Sequence, residues 1–445
     1  MNYDERLQHV SVLGAAGKMG SGILLLTAVE MADLQFRPEN KGKRFILNAI
    51  DVSPAALSDL HTYLRIQVKK IAEKRIVQLR EVYKDFPDLI ENCEIIDQYV
   101  NDVLNNILFS TRIESSYESG IIFEAIIEDV ELKVKIISQI LSNNKKEPWF
   151  LTNTSSVPIG ELDSKAGIKG KIIGFHFYNP PAVQKLVELI TSKNTDPELI
   201  EFSNTYAKKL RKTVVPSSDF AGFIGNGHFM RDMLFGIHQA ELLSKEMPMA
   251  EAIYTINRVS QDFLIRPMGI FQLTDYVGVD VCQKILHVMS SRLKEKELHS
   301  SFLDKLISLG IKGGQNPDGS QKPGILLYDK GKPVGVYDIG KKDYIHIESF
   351  RLDADSRIGV LPKSYKSWKE VVGNKQKDEL LKAHFNELKG MNSTGAKLAR
   401  LYHKNAKDIG LKLVENKIAN NGDDVNTVML TGFFHAYGPI NNYLD

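Results

Sequence analysis

The sequence predicts an α/β protein: a Rossmann-like, doubly wound parallel sheet followed by all-α C-terminal domains. Three observations predict it. A strand, a glycine-rich turn and a helix open the chain; strands and helices then alternate as far as Ser192; beyond that point the pattern is almost wholly helical. HVSVL, residues 9–13, is a run of aliphatic and β-branched residues, as expected of a buried strand. Gly14 to Gly20 interrupt it, and SGILLLTAVE continues with helical composition, which is how a βαβ unit begins. After the polar stretch LQFRPENKGKR, a second strand ends at Asp51. Ser53-Pro54 then caps a helical hairpin over about 54–103, dense in Lys, Arg and Glu. GIIFEAI is a further buried strand, EDVELKVKIISQILSN a helix, PWFLTN a strand with the turn TSS behind it, and KIIGFHF another strand.

From Pro197 to Val288 only helices are expected, with breaks at Pro216, Gly222–Gly227 and Pro267-Met268-Gly269. GIKGGQNPDGSQKPGILLYDKGKPVG reads as surface loops with a little strand, and the chain is helical again from about Lys377. The segment from Lys342 to Lys382, with Trp368, carries no readable function. A faint repeat joins Gly225–Gly269 to Gly395–Gly438: each has a long amphipathic helix, a second helix and an aromatic-rich glycine turn, at separations of 44 and 43 residues. The expected domains are therefore 1–192, holding the hairpin as an insertion, a helical domain at 193–330, and a second, degenerate helical domain at 331–445.

Bulk properties exclude several classes of function. A chain of 445 residues exceeds one ordinary core. A net charge of +2 gives no basis for nucleic-acid binding. Two cysteines, Cys93 and Cys282, support neither a disulfide framework nor a four-ligand zinc site, so no metal is expected and a reducing, cytoplasmic setting is. The first residues carry no apolar signal core, and no apolar run approaches the ~20 residues of a membrane span.

The turn LGAAGKMGSGI, with Gly14, Gly17, Lys18, Met19 and Gly20, has the chemistry of a dinucleotide site. Glycine permits the tight turn and the close approach of backbone to a pyrophosphate, and the following helix N-terminus faces the phosphates. Its spacing, G-x-x-G-x-x-G, is one residue longer in the first gap than G-x-G-x-x-G. Asp51 ends the second strand, where a carboxylate takes the ribose hydroxyls and repels a 2′-phosphate. It also reads as a capping acid before Ser53-Pro54. NAD is favoured over NADP, which Lys41, Lys43 and Arg44 keep open.

Beyond the cofactor half, polar residues stand at strand ends or helix starts: Asn153 and Ser155 in LTNTSS, His176 in GFHFYNP, Glu188 in KLVELI and Asn226 in GFIGNG. The set suits hydride transfer from a secondary alcohol. Imidazole is neutral near pH 7 and can take the hydroxyl proton. A carboxylate behind it fixes its tautomer and stabilises the imidazolium, while hydroxyl and amide groups hold the reacting oxygen. Each residue alone also has a structural reading: a core histidine, a surface or capping glutamate, an asparagine in a left-handed turn, a serine cap.

In their order and spacing these motifs resemble the L-3-hydroxyacyl-CoA dehydrogenases of β-oxidation over about residues 8–290. NTSS, GFHFYNP, KLVELI, DFAGFIGNG and RPMGIFQLTDYVGVDV carry the resemblance. It implies His176 as general base, Glu188 as its partner, and Ser155 and Asn226 on the substrate's oxygens. It implies Glu124, Asn153 and Lys133 at the NAD site. The hairpin after Asp51 becomes a wall of the coenzyme A site, with Lys69, Lys70, Lys74 and Arg75 facing its phosphates. The implied partner is an acyl-CoA. The chain departs from the family in its lengthened glycine turn, in Gly227 where arginine usually follows the asparagine, and in its C-terminal extension. A second copy of the helical domain would let the chain work as a monomer, and docking to other β-oxidation enzymes is also open. Rival readings are a dehydrogenase of another small hydroxy acid, which would need a lysine near Asn226 where none occurs before Lys245, and a non-catalytic NAD-binding descendant.

Overall fold

The computed structural model describes residues 3–295, 297–316 and 319–445, so residues 317 and 318 of the Gly/Pro/Lys-rich segment lie outside it. Backbone contacts divide the chain into two units, Met1–Asp219 and Phe220–Asp445.

Eight strands make one sheet in the first unit: β1 (His9–Leu13), β2 (Ile46–Ile50), β3 (Ile107–Ser110), β4 (Ile121–Glu124), β5 (Trp149–Thr152), β6 (Ile172–Phe177), β7 (Leu186–Thr191) and β8 (Thr213–Ser218). Their order is β3-β2-β1-β4-β5-β6-β7-β8. The reversal of strand order falls at β1 and β4, the point outside whose carboxyl ends open α/β sheets bind ligands. Val10, Val12, Leu47, Ala49, Phe123 and Leu151 are buried in the unit's core, the continuous apolar burial expected of parallel strands covered on both faces.

The sheet is mixed rather than parallel throughout, since β7 runs antiparallel to β6. Only residues 178–185 join the two strands, too few for the dozen or more that a crossover to a parallel strand takes. The helix Pro197–Lys209 supplies such a crossover from β7 to β8, which pair in parallel. A second correction concerns β8, which lies where only helices are expected. TVVPSS contains Pro216, which reads as a break; β8 is the edge of the sheet, where a missing N–H is tolerated. The unit boundary consequently falls at Asp219 instead of Ser192. The hairpin region is three helices, Pro54–Lys74, Ile76–Val82 and Asn92–Asn105, and β3, which follows it, was not anticipated.

The second unit packs helices around a core of its own. Its helices Gly225–Leu243 and Thr394–Glu415 pack together: Tyr402 donates its hydroxyl to the Asp232 carbonyl at 2.8 Å. The Arg266 guanidinium bonds the Asp232 carboxylate at 2.7 Å and lies 5.0 Å from the Tyr402 ring centroid. The spacing similarity recurs in the bonding. Asn257 Oδ1 accepts the N–H of Phe271 at 3.1 Å, and a Cβ on Gly269 would lie 2.2 Å from that oxygen. Asn426 Oδ1 accepts the N–H of Ile440 at 2.9 Å, and a Cβ on Gly438 would lie 2.2 Å from Asn426 Cγ. Each asparagine brackets a turn that only glycine fits. The little strand expected near Gly324–Gly335 is a three-stranded antiparallel sheet, β9 (Leu326–Asp329), β10 (Lys332–Asp338) and β11 (Asp343–His346). Among the described residues no helix is long and apolar enough to cross a membrane.

Candidate active site

The glycine turn closes on the sheet through contacts that exclude side chains. Gly14 has φ 72°, and a Cβ there would lie 2.5 Å from the Ala125 carbonyl oxygen beyond β4. A Cβ on Gly20 would lie 2.0 Å from the Gly14 carbonyl oxygen, so the helix Gly20–Gln35 begins hard against the turn. No side chain caps that helix at Met19 and its first turn holds no acid, leaving an amide terminus suited to an anion. Lys18 is exposed on the same turn. The extra residue of the lengthened turn has a use: the Ala16 N–H reaches Asp51 Oδ2 at 3.0 Å, while Asp51 Oδ1 takes the Ser53 N–H at 3.3 Å. Asp51 is thereby held at the end of β2, and the helix cap itself is Ser53, whose side chain accepts the Ala56 N–H.

At the carboxyl ends of β4 and β5 lies a buried ionic cluster. Lys133 Nζ stands 2.6 Å from Glu124 Oε1 and 3.2 Å from Glu128 Oε2. Burial works against the Lys133 charge, but the two carboxylates outweigh it and hold its pKa above the usual lysine range. Thr152 donates its hydroxyl to Glu124 Oε2 at 2.5 Å. Glu128 Oε1 accepts the Thr154 hydroxyl at 2.5 Å, the Ser155 N–H at 3.1 Å and the Ser156 hydroxyl at 3.1 Å. Burial opposes ionisation of Glu128 too; Lys133 and these donors prevail and keep it below the ordinary carboxylate range. From the other side Asp219 accepts the N–H groups of Ile159 and Gly160, at the start of the helix Ile159–Ala166. The turn carrying Ser155 is thus fixed by Glu128, and the start of the helix after it by Asp219. Asn153 Oδ1 accepts the Phe177 N–H at 2.9 Å and ties the end of β5 to β6.

His176 and Glu188 are direct cross-strand partners in the antiparallel β6–β7 pair. Residues so paired project from the same face of a sheet, and His176 Nδ1 lies 3.4 Å from Glu188 Oε1. Glu188 is wholly buried, and His176 is 8% exposed. Tyr178 donates its hydroxyl to the same Oε1 at 2.5 Å, and its ring centroid is 4.9 Å from that of His176. The turn between the strands is clamped by Lys212 Nζ, which donates to the Pro181 and Gln184 carbonyls at 2.6 and 2.5 Å; burial lowers its pKa to about 8. A Cβ on Gly22, in the helix after the glycine turn, would lie 2.9 Å from the Pro181 ring. The turn after the histidine therefore rests on the cofactor-side helix.

Asn226 stands in the first turn of the second unit's helix Gly225–Leu243. The left-handed residues nearby are Gly222 and Phe223, not the asparagine. Gly227 has a packing reason: a Cβ there would lie 3.1 Å from Leu413 Cδ2. Of the basic residues on the hairpin, Lys69, Lys70 and Lys74 are exposed, whereas Arg75 is taken by Asp33 at 2.9 and 3.0 Å and by the Tyr99 hydroxyl at 3.2 Å. Sequence reasoning passed over Glu128, Tyr178, Lys212 and Asp219. Tyr178 was within reach, because it follows His176 by the two residues that return a strand to the same face.

An acid at the end of β2 and an open helix terminus suit a dinucleotide, and an imidazole facing a buried carboxylate suits removal of an alcohol proton. The class these define is a nicotinamide-dependent dehydrogenase. Residues 9–220 match the NAD binding domain of 3-hydroxyacyl-CoA dehydrogenase, and residues 241–322 match its C-terminal domain. The chain belongs to the 3-hydroxyacyl-CoA dehydrogenase family and is an NAD-dependent oxidoreductase. A probable 3-hydroxybutyryl-CoA dehydrogenase of Deinococcus radiodurans is 32% identical over 221 residues, 49% of this chain and 77% of that one. One of Bacillus subtilis is 29% identical over 315 residues, 70% of this chain and 96% of the other. The crystal structure of 3-hydroxybutyryl-CoA dehydrogenase from Escherichia coli superposes with a TM-score of 0.62 over 98% of this chain and 90% of that one; at 17% identity it speaks for the fold alone.

Proposed function

We propose that the chain interconverts L-3-hydroxyacyl-CoA and 3-ketoacyl-CoA, in fatty-acid β-oxidation or related acyl-CoA metabolism, with His176 as the general base and Glu188 as its partner. The observation that carries this reading is the cross-strand pairing of His176 with the wholly buried Glu188, Nδ1 to Oε1 at 3.4 Å. With Nδ1 turned to the carboxylate, the other ring nitrogen, Nε2, takes the proton of the C3 hydroxyl. Glu188 offsets the positive charge that the ring then acquires. The bound NAD would supply the hydride acceptor for C3.

Gly14, Gly17, Lys18, Met19 and Gly20 are assigned to its pyrophosphate and Asp51 to its ribose. Glu124, Asn153 and Lys133 are assigned to the lining of the cofactor site. Ser155, on a turn braced by Glu128, holds the substrate oxygen as it becomes a carbonyl. Asn226 receives the same assignment on the family resemblance, and Lys69, Lys70 and Lys74 are assigned to the coenzyme A phosphates on that ground. Both named relatives are described as probable 3-hydroxybutyryl-CoA dehydrogenases, which makes a short acyl chain the first to try.

The test is NADH consumption by the wild-type chain with acetoacetyl-CoA and with longer 3-ketoacyl-CoA thioesters. Turnover with at least one chain length is expected. No turnover with any of them, from a protein that binds NADH, would contradict the assignment.

A further inference from the structure

We infer that Tyr178 is a positioning residue of this dyad: its hydroxyl takes a share of Glu188 Oε1 that His176 would otherwise hold, and thereby sets the pH at which the imidazole works. The inference rests on the reading of His176 and Glu188 given above.

The geometry is unequal. Glu188 Oε1 accepts the Tyr178 hydroxyl at 2.5 Å, whereas His176 Nδ1 stands off at 3.4 Å. An O–H···O⁻ contact of that length is among the stronger hydrogen bonds a protein makes, and it draws charge from the oxygen that would stabilise an imidazolium. Tyr178 acts only as a donor, because burial and then the Glu188 charge hold its ionisation well above the usual phenol range. No other charged side chain lies on the strands packed at this point. Glu188 is the one charged residue of β7 (LVELIT), β8 (TVVPSS) has none, and Val215 is its partner there. On β6 the one titratable residue is His176. Of the groups beyond the strands, Asn153 takes the Phe177 N–H and is neutral, and Lys212 is directed to the Pro181 and Gln184 carbonyls. Among these neighbours, the Tyr178 hydroxyl and the His176 ring are the two groups set against Glu188 Oε1.

Tyr178→Phe keeps the ring and removes the donor. In the ketone-reducing direction the imidazolium is the proton source, so activity falls as pH rises through its titration. Freed from the tyrosine, Glu188 holds that imidazolium more firmly, and the descending limb of kcat/KM is expected to move up by about one pH unit. In the alcohol-oxidising direction the ascending limb moves up by the same amount. Tyr178→Met, which also lacks a donor, shifts in the same direction. A merely structural role would change the amplitude and leave the limbs in place. In a Glu188→Gln background, Tyr178→Phe is expected to leave the profile where the single variant has it. A Tyr178→Phe profile that superimposes on wild type, or a shift that persists in the Glu188→Gln background, overturns the inference alone. If Glu188→Gln itself changes neither rate nor profile, the dyad reading falls and the inference with it.

Discussion

Glu188 in the first unit and Asp275 in the second are both carboxylates with no exposed surface, and their partners differ in kind. Glu188 meets side chains: the Tyr178 hydroxyl and the His176 ring. Asp275 meets mainly backbone: it accepts the Ile325 N–H at 2.7 Å and the Leu326 N–H at 2.8 Å, with the Tyr328 hydroxyl at 2.8 Å. It also sits where a Cβ on Gly324 would lie 2.2 Å from its Oδ1. Asp275 thus pins the start of β9 to the helix Ile270–Val277. A buried acid bonded to the main chain belongs to the architecture. One set against a titratable ring can answer a change in that ring's charge during a reaction.

The comparison makes opposite demands on the two acids. Glu188→Gln is expected to lower kcat/KM by roughly 10²-fold or more, through loss of the charge that stabilises the imidazolium, with little change in melting temperature. Steady-state kinetics beside a thermal melt measures both. Equal losses of rate and stability would erase the distinction. Asp275→Ala is expected to do the reverse, costing about 2–4 kcal/mol as two buried N–H groups and a phenol lose their acceptor. Urea unfolding measures the loss, and NADH affinity should be retained.

The same variant carries a pH-dependent effect. Burial raises the Asp275 pKa from 3.8 to about 7, despite the N–H and phenol donors that lower it. The folded chain therefore keeps a proton that the unfolded chain releases. The stability this contributes is complete below the unfolded value and is lost as pH rises through about 7. Wild-type stability should fall across that window, and the Asp275→Ala chain should lack the slope.

The segment GFHFYNPPAVQKLVELI contains the strand of His176, the strand of Glu188 and the turn between them, so the pair was legible from one short stretch. Its antiparallel sense was legible too, had the length of the turn been weighed against what a crossover needs. The strand at Thr213–Ser218 was hidden by Pro216, because nothing local says that this strand is an edge. Asp275 could not be read at all: its partners lie fifty residues further on and are backbone N–H groups, which any sequence supplies. Arg75 resembled a phosphate ligand because its bond to Asp33 joins residues 42 apart. By contrast, the similarity between the two helix pairs was visible as spacing, and the asparagine brackets at Gly269 and Gly438 give that spacing a physical content.

The central claim is that His176 moves a proton and does not merely fill the core. The most direct measurement is the turnover of His176→Ala with a 3-ketoacyl-CoA that wild type reduces, taken beside its affinity for NADH by fluorescence titration. A fall in kcat of about 10³-fold with NADH affinity and melting temperature retained is the predicted result. Turnover within a few-fold of wild type would contradict the claim and return the histidine to a packing role.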